Sequence, residues 1–78
     1  MNVKVFGTGC TKCKTLHKMV LGYAALDNSI EVEYISDINE MMNRGIMSIP
    51  VLMIDEEVKC IGRVPKDREL KELMFGSK

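Results

Sequence analysis

Two cysteines three positions apart, Cys10 and Cys13, stand in the stretch "VFGTGCTKCKTLH", between a short apolar run and an amphipathic one. Thiols at that spacing support two chemistries. As thiolates they bind a soft metal, or one attacks a disulfide and the other resolves the adduct, so that the pair cycles between dithiol and disulfide. A metal site needs more ligands than two, because structural zinc takes four. His17, four residues after Cys13, is the nearby candidate, and a second chain could bring its own pair. A lone His in an amphipathic helix is usually surface or flank, so exchange chemistry is the stronger reading. Cys60 lies far along the chain, between Lys59 and Ile61; free Cys is among the most buried residue types, and a packed core thiol is expected there.

Composition narrows the setting. The 78 residues carry 11 basic and 11 acidic side chains, so no net charge and no basic stripe point to nucleic acid. At 46% hydrophobic and 28% charged, the chain is an ordinary globular one and not a disordered one. Its length suits a single domain, 1–78, with a modest core. The longest apolar run, Ile49 to Ile54, is too short to span a bilayer. The N-terminus lacks the long apolar segment of a secretory signal, and a cytoplasmic protein with no membrane partner is expected. In such a reducing compartment an odd number of cysteines does not form a disulfide scaffold, and a CxxC pair is catalytic or metal-binding.

The elements that must position the cysteines follow from periodicity. Val3 and Val5 alternate with Lys4, which predicts a strand over 2–6 ended by Gly7-Thr8-Gly9. Leu16, Met19, Val20, Tyr23 and Ala24 predict a helix over about 11–27, in which Gly22 would allow close approach to a strand. Ile30, Val32 and Tyr34 on one face predict a second strand over 30–35. Asp37 and Glu40 resemble a capping box, with Ile38, Met41 and Met42 as an apolar stripe and Gly45 as the stop. Met41 and Met42 are expected to fill core, and Met47 to precede a loop that could line a groove. Strands at 51–54 and 58–62 form a hairpin around Asp55-Glu56-Glu57, with Val58 and Cys60 sharing one face. A last helix near 66–74 begins beside Pro65. The order is βαβαββα, with a right-handed crossover in the first βαβ.

Two small folds place a CxxC after the first strand. The heavy-metal-associated domain has the order βαββαβ and usually a Met two residues before the first Cys, where Thr8 stands here. The chain instead resembles the short thioredoxin-like "redox-active disulfide" proteins, a compact branch near the glutaredoxins. The resemblance rests on "VFGTGCTKC", "MSIPVLMID" and "IGRVP" and covers essentially the whole chain. It implies an α/β minimal thioredoxin fold: a four-stranded mixed sheet flanked by helices on both faces.

Cys10 at the start of the first helix would meet unpaired N–H groups and the positive end of the helix dipole, with Lys12 and Lys14 nearby; it is the expected nucleophile. Cys13, one turn in, is the expected resolving thiol, and Lys12 a candidate thiolate stabiliser. The resemblance implies that Pro50 is cis and packs against the disulfide, that the Ile49 backbone pairs with an extended substrate, and that Gly62 lets a ligand approach. No cofactor and no metal are implied. The glutaredoxin acidic residue is missing, since Arg63 and Val64 follow Gly62, so a protein disulfide is the expected substrate in place of glutathione. The reductant is unidentified, and the chain is expected to be a monomer. The alternatives are a metal-binding or delivery module and a redox-inactive adaptor that kept the fold.

Overall fold

The computed structural model describes residues 1–76; residues 77–78, the end of the expected 1–78 domain, lie outside the described residues. Alternating Val3 and Val5 build β1 (Asn2–Phe6), where both valines are fully buried. Cys13, Leu16 and Val20 form the buried stripe of α1 (Thr11–Ala24). β2 (Glu31–Ile35), α2 (Ile38–Asn43), β3 (Val51–Ile54), β4 (Glu57–Ile61) and α3 (Asp67–Phe75) complete the order βαβαββα.

The strands lie in the order β2-β1-β3-β4. β1 runs parallel to β2 and antiparallel to β3, and β3–β4 is a hairpin. α1 and α3 cover one face, where Leu16, Val20, Leu70 and Met74 join Val3, Val5, Leu52 and Ile54 in one core. α2 serves the other face through Met41, which joins Phe6, Val51 and Met53. β3 is therefore buried on both sides, which is why all four of its residues are apolar. Full burial of Phe6, Leu16, Leu52 and Leu70 contributes about 1.5–3 kcal/mol each. The mixed sheet with helices on both faces is the architecture expected from the sequence.

Several local expectations are corrected. α1 ends at Ala24 and not at Asp27. The N–H groups of Leu26 and Asp27 reach carbonyls three residues back, and the Asp27 carboxylate accepts both the N–H and the hydroxyl of Ser29, which locks a turn. Gly22 approaches no strand: it is exposed, and an added Cβ there would meet nothing within 4 Å. The capping box at α2 is half made. Asp37 accepts the Asn39 N–H at 2.9 Å, but Glu40 turns to the Arg44 guanidinium at 2.7 Å. With only six residues, α2 buries Met41 alone; Met42 and Ile38 are 68% and 61% exposed, so Met42 fills no core.

The hairpin differs in register. Leu52 faces Cys60 while Met53 faces Val58, so Lys59 is an extra residue in β4. This bulge puts Cys60 in the core and leaves Val58 exposed, and the shared face expected for the two is not formed. The turn is the two residues Asp55 and Glu56, both with positive φ, which suits the right-handed twist of the strands. Glu56 is tethered to Lys4 at 2.7 Å. α3 starts one residue later than expected, with Lys66 in the capping position.

Candidate redox-active site

β1 delivers the chain to the tight Gly7-Thr8-Gly9 turn, where Gly9 has φ +84°. Cys10 follows in extended conformation as the N-cap of α1, and its Sγ accepts the Cys13 N–H at 3.3 Å. That position ordinarily holds a Ser, Thr, Asp or Asn oxygen, which satisfies one of the orphan donors of the first turn. Here a sulfur does so, and it gains most from the N–H groups when it is a thiolate. Cys10 is exposed, whereas Cys13 is fully buried behind it. Their sulfurs lie 2.7 Å apart, within easy reach of a disulfide.

The Cys10 thiol is held below its ordinary value, first by hydrogen bonding from the Cys13 thiol, then by the Cys13 N–H, with smaller help from the N–H groups of Lys12 and Cys10. Lys12 thus acts on the sulfur through its backbone. Its side chain is exposed, and its ammonium is not among the groups that hold the thiol down.

The Ile49–Pro50 peptide bond is cis. Pro50 is fully buried and directly precedes Val51, which pairs with Phe6 at the end of β1. The cis-proline segment and the CxxC turn therefore share one end of the sheet. Ile49 sits half-buried against the Phe6–Met41 core. Among the described residues, no backbone group bonds the Ile49 N–H or C=O. Gly62 has φ +76° and donates its N–H to the Pro50 carbonyl at 2.8 Å. Its place is to hold the proline loop, and its own N–H is already used.

Two neighbours of the cysteines were not singled out from the sequence. A Cβ on Gly7 would stand 2.5 Å from the Cys13 Sγ, 2.6 Å from the Cys13 Cβ and 2.9 Å from the Tyr34 hydroxyl. Only glycine fits that gap. Tyr34, near the C-terminal end of β2, accepts the Gly9 N–H at 2.8 Å, and its ring stacks on His17 with centroids 4.7 Å apart. Burial raises its phenol most, and the nearby sulfur of Cys13 adds to the rise. The available signal was topological: β2 runs parallel to β1, so its last residues must arrive beside the CxxC turn.

The other candidates lie elsewhere. Cys60 is buried in the main core, where its thiol donates weakly to the Arg63 carbonyl at 3.5 Å; burial pushes it above the ordinary thiol range. Met47 is 96% exposed. His17 is engaged with Tyr34, and no group of three His, Cys, Asp or Glu side chains that could hold a metal occurs among the described residues. No described helix is long and apolar enough to cross a membrane.

An exposed N-capping thiol, a buried partner thiol and a cis-proline at one end of the two central strands of a four-stranded mixed sheet define a small thioredoxin-like redox protein. Residues 1–75 match the family model described as thioredoxin domain, and the chain belongs to that family. It is similar to a thioredoxin of Methanothermobacter thermautotrophicus, 31% identical over 75 residues that span 95% of this chain and 97% of that protein. It is also similar to a thioredoxin of Methanocaldococcus jannaschii, 28% identical over 71 residues, spanning 90% of this chain and 81% of that one.

Proposed function

We propose that the protein is a thiol–disulfide oxidoreductase that reduces or exchanges protein disulfides through Cys10 and Cys13. The observation that carries this reading is the pairing of an exposed, N-capping Cys10 with a buried Cys13 whose sulfur lies 2.7 Å away. The Cys10 thiolate attacks one sulfur of the substrate disulfide. A mixed disulfide forms, and the first substrate thiolate leaves with the electron pair. The Cys13 thiolate then attacks the Cys10 sulfur, a Cys10–Cys13 disulfide forms, and the second substrate thiolate leaves. Two electrons and two protons have passed to the substrate. A separate reductant must return them.

A protein substrate is favoured over glutathione by the open backbone of Ile49, which suits strand-like pairing with an extended chain. The segment leading to Ile49 carries a shallow hollow lined by Met42, Gly45, Ile46 and Met47, apolar enough to take a substrate side chain. The Cys13→Ser variant tests the reading. It removes the resolving thiol, so the reaction stalls as a covalent mixed disulfide on Cys10. Capture from a lysate followed by release with reductant should yield proteins bearing reactive disulfides. Recovery of glutathione alone would overturn the protein-substrate assignment.

A further inference from the structure

We propose that the Tyr34 hydroxyl is the hydrogen-bond donor that stabilises the Cys13 thiolate during resolution of the mixed disulfide. The inference rests on the exchange function proposed above and assigns it a further residue. Cys13 is fully buried, so water cannot solvate the anion that must form on its sulfur before it attacks. Its first-turn neighbours do not help, because the Cys13 N–H is spent on Cys10. The polar side chain beside the sulfur comes from β2. The Cys13 Sγ and the Tyr34 hydroxyl lie 2.5 and 2.9 Å from the same point, the place where a Gly7 side chain would begin.

The hydroxyl is arranged as a donor. Its oxygen already accepts the Gly9 N–H at 2.8 Å, and among the described residues its proton goes to no other nitrogen or oxygen. The ring is fixed by stacking on His17 and by the position of Tyr34 opposite Val5 in the sheet. Burial and the two active-site sulfurs keep the phenol protonated, so Tyr34 serves as a donor and not as a base. The titratable groups around Cys13 are then Cys10 on its own helix and Tyr34 from β2, with His17 behind the Tyr34 ring.

In resolution the Cys13 proton leaves to solvent or to the departing thiolate. The Cys10–Cys13 bond forms, the bond from Cys10 to the substrate sulfur breaks, and the leaving thiolate carries the electron pair. Tyr34 loses nothing and gains nothing; it holds the anion while it exists. Stabilising a thiolate raises its population but lowers its nucleophilicity, with a Brønsted slope of about 0.4–0.5. A tenfold gain in population thus gives a net gain of roughly threefold at neutral pH, and a stronger hydrogen bond up to about tenfold.

The test is Tyr34→Phe, which keeps the ring and its stacking, in a Cys60→Ala background, with an aromatic disulfide whose thiolate is coloured. Stopped-flow traces should show two releases of coloured thiolate. The first depends on reagent concentration and reports attack by Cys10. The second is independent of it and reports resolution by Cys13. Tyr34→Phe should slow the second release by about threefold to tenfold at pH 7 and leave the first within twofold. At a pH alkaline enough to ionise the resolving thiol in both proteins the defect should vanish or reverse, because the unassisted thiolate is the more nucleophilic. Equal second-release rates at pH 7, or a slowing that persists unchanged at alkaline pH, would overturn the assignment to Tyr34. Absence of a second release in the unsubstituted protein would instead overturn the exchange function itself.

Discussion

Gly7→Ala should damage the protein more than any other glycine-to-alanine change in the first helix region, and for a reason confined to one contact. The new methyl would lie 2.5 Å from the Cys13 Sγ and 2.6 Å from its Cβ. Carbon atoms at rest sit about 3.5–4.0 Å apart, so roughly 1 Å of displacement is required. The Gly7 backbone is not in the left-handed region, so overlap is the whole effect. Cys13 cannot easily give way, being fully buried on the first turn of α1. Overpacking of this kind costs about 1–3 kcal/mol. For a domain of this size each kcal/mol moves the Tm by about 4–8 °C, so a fall of roughly 5–20 °C is expected in thermal melts of the dithiol form. Pairing the change with Cys13→Gly in a double-mutant cycle should recover much of the loss, because the clashing atoms are gone. A Tm within a degree or two of the parent, or strictly additive effects in the cycle, would refute the packing argument.

Gly22→Ala should do the opposite and stabilise by about 0.5–1 kcal/mol, since the site is exposed, helical and open, with a rise in Tm as the readout. Alkylation of Cys10 should follow a midpoint below the free thiol value of about 8.5, and a midpoint at or above it would remove the N-cap argument. The linkage follows the same sign. Because the folded value is the lower one, Cys10 stabilises the dithiol form above its unfolded value and loses that contribution as pH falls through the folded midpoint. Cys60→Ala should retain disulfide reduction and lose on the order of 1 kcal/mol. Burial raises the Cys60 thiol, so its contribution is present below the ordinary value and fades as pH rises, and the gap between parent and variant in chemical denaturation should narrow at alkaline pH.

What could be read from the residues alone was whatever local patterning controls. Val3 and Val5 announced β1, Leu16 and Val20 the buried stripe of α1, and the element order separated this architecture from the metal-binding alternative. Pro50 before an all-apolar strand marked the cis-proline segment at the CxxC end of the sheet. The features that escaped depend on how strands meet. The bulge at Lys59, which parts Val58 from Cys60, arises from the pairing of β4 with β3, and neither strand shows it alone. Tyr34 and Gly7 acquire their roles only when the parallel pairing of β1 with β2 carries the phenol to the CxxC turn. Met42 was misplaced because its spacing is helical but α2 is too short to turn more than one apolar residue onto the sheet.

The central claim is that Cys10 and Cys13 together move two electrons to a protein disulfide. Its most direct measurement is insulin disulfide reduction by the protein, kept reduced with dithiothreitol, alongside Cys10→Ser and Cys60→Ala. Turnover is expected from the parent and from Cys60→Ala, none above the reductant background from Cys10→Ser, and one Cys10–Cys13 disulfide per chain when the reductant is withheld. A parent no faster than dithiothreitol alone, with both thiols accessible to alkylation, would contradict it.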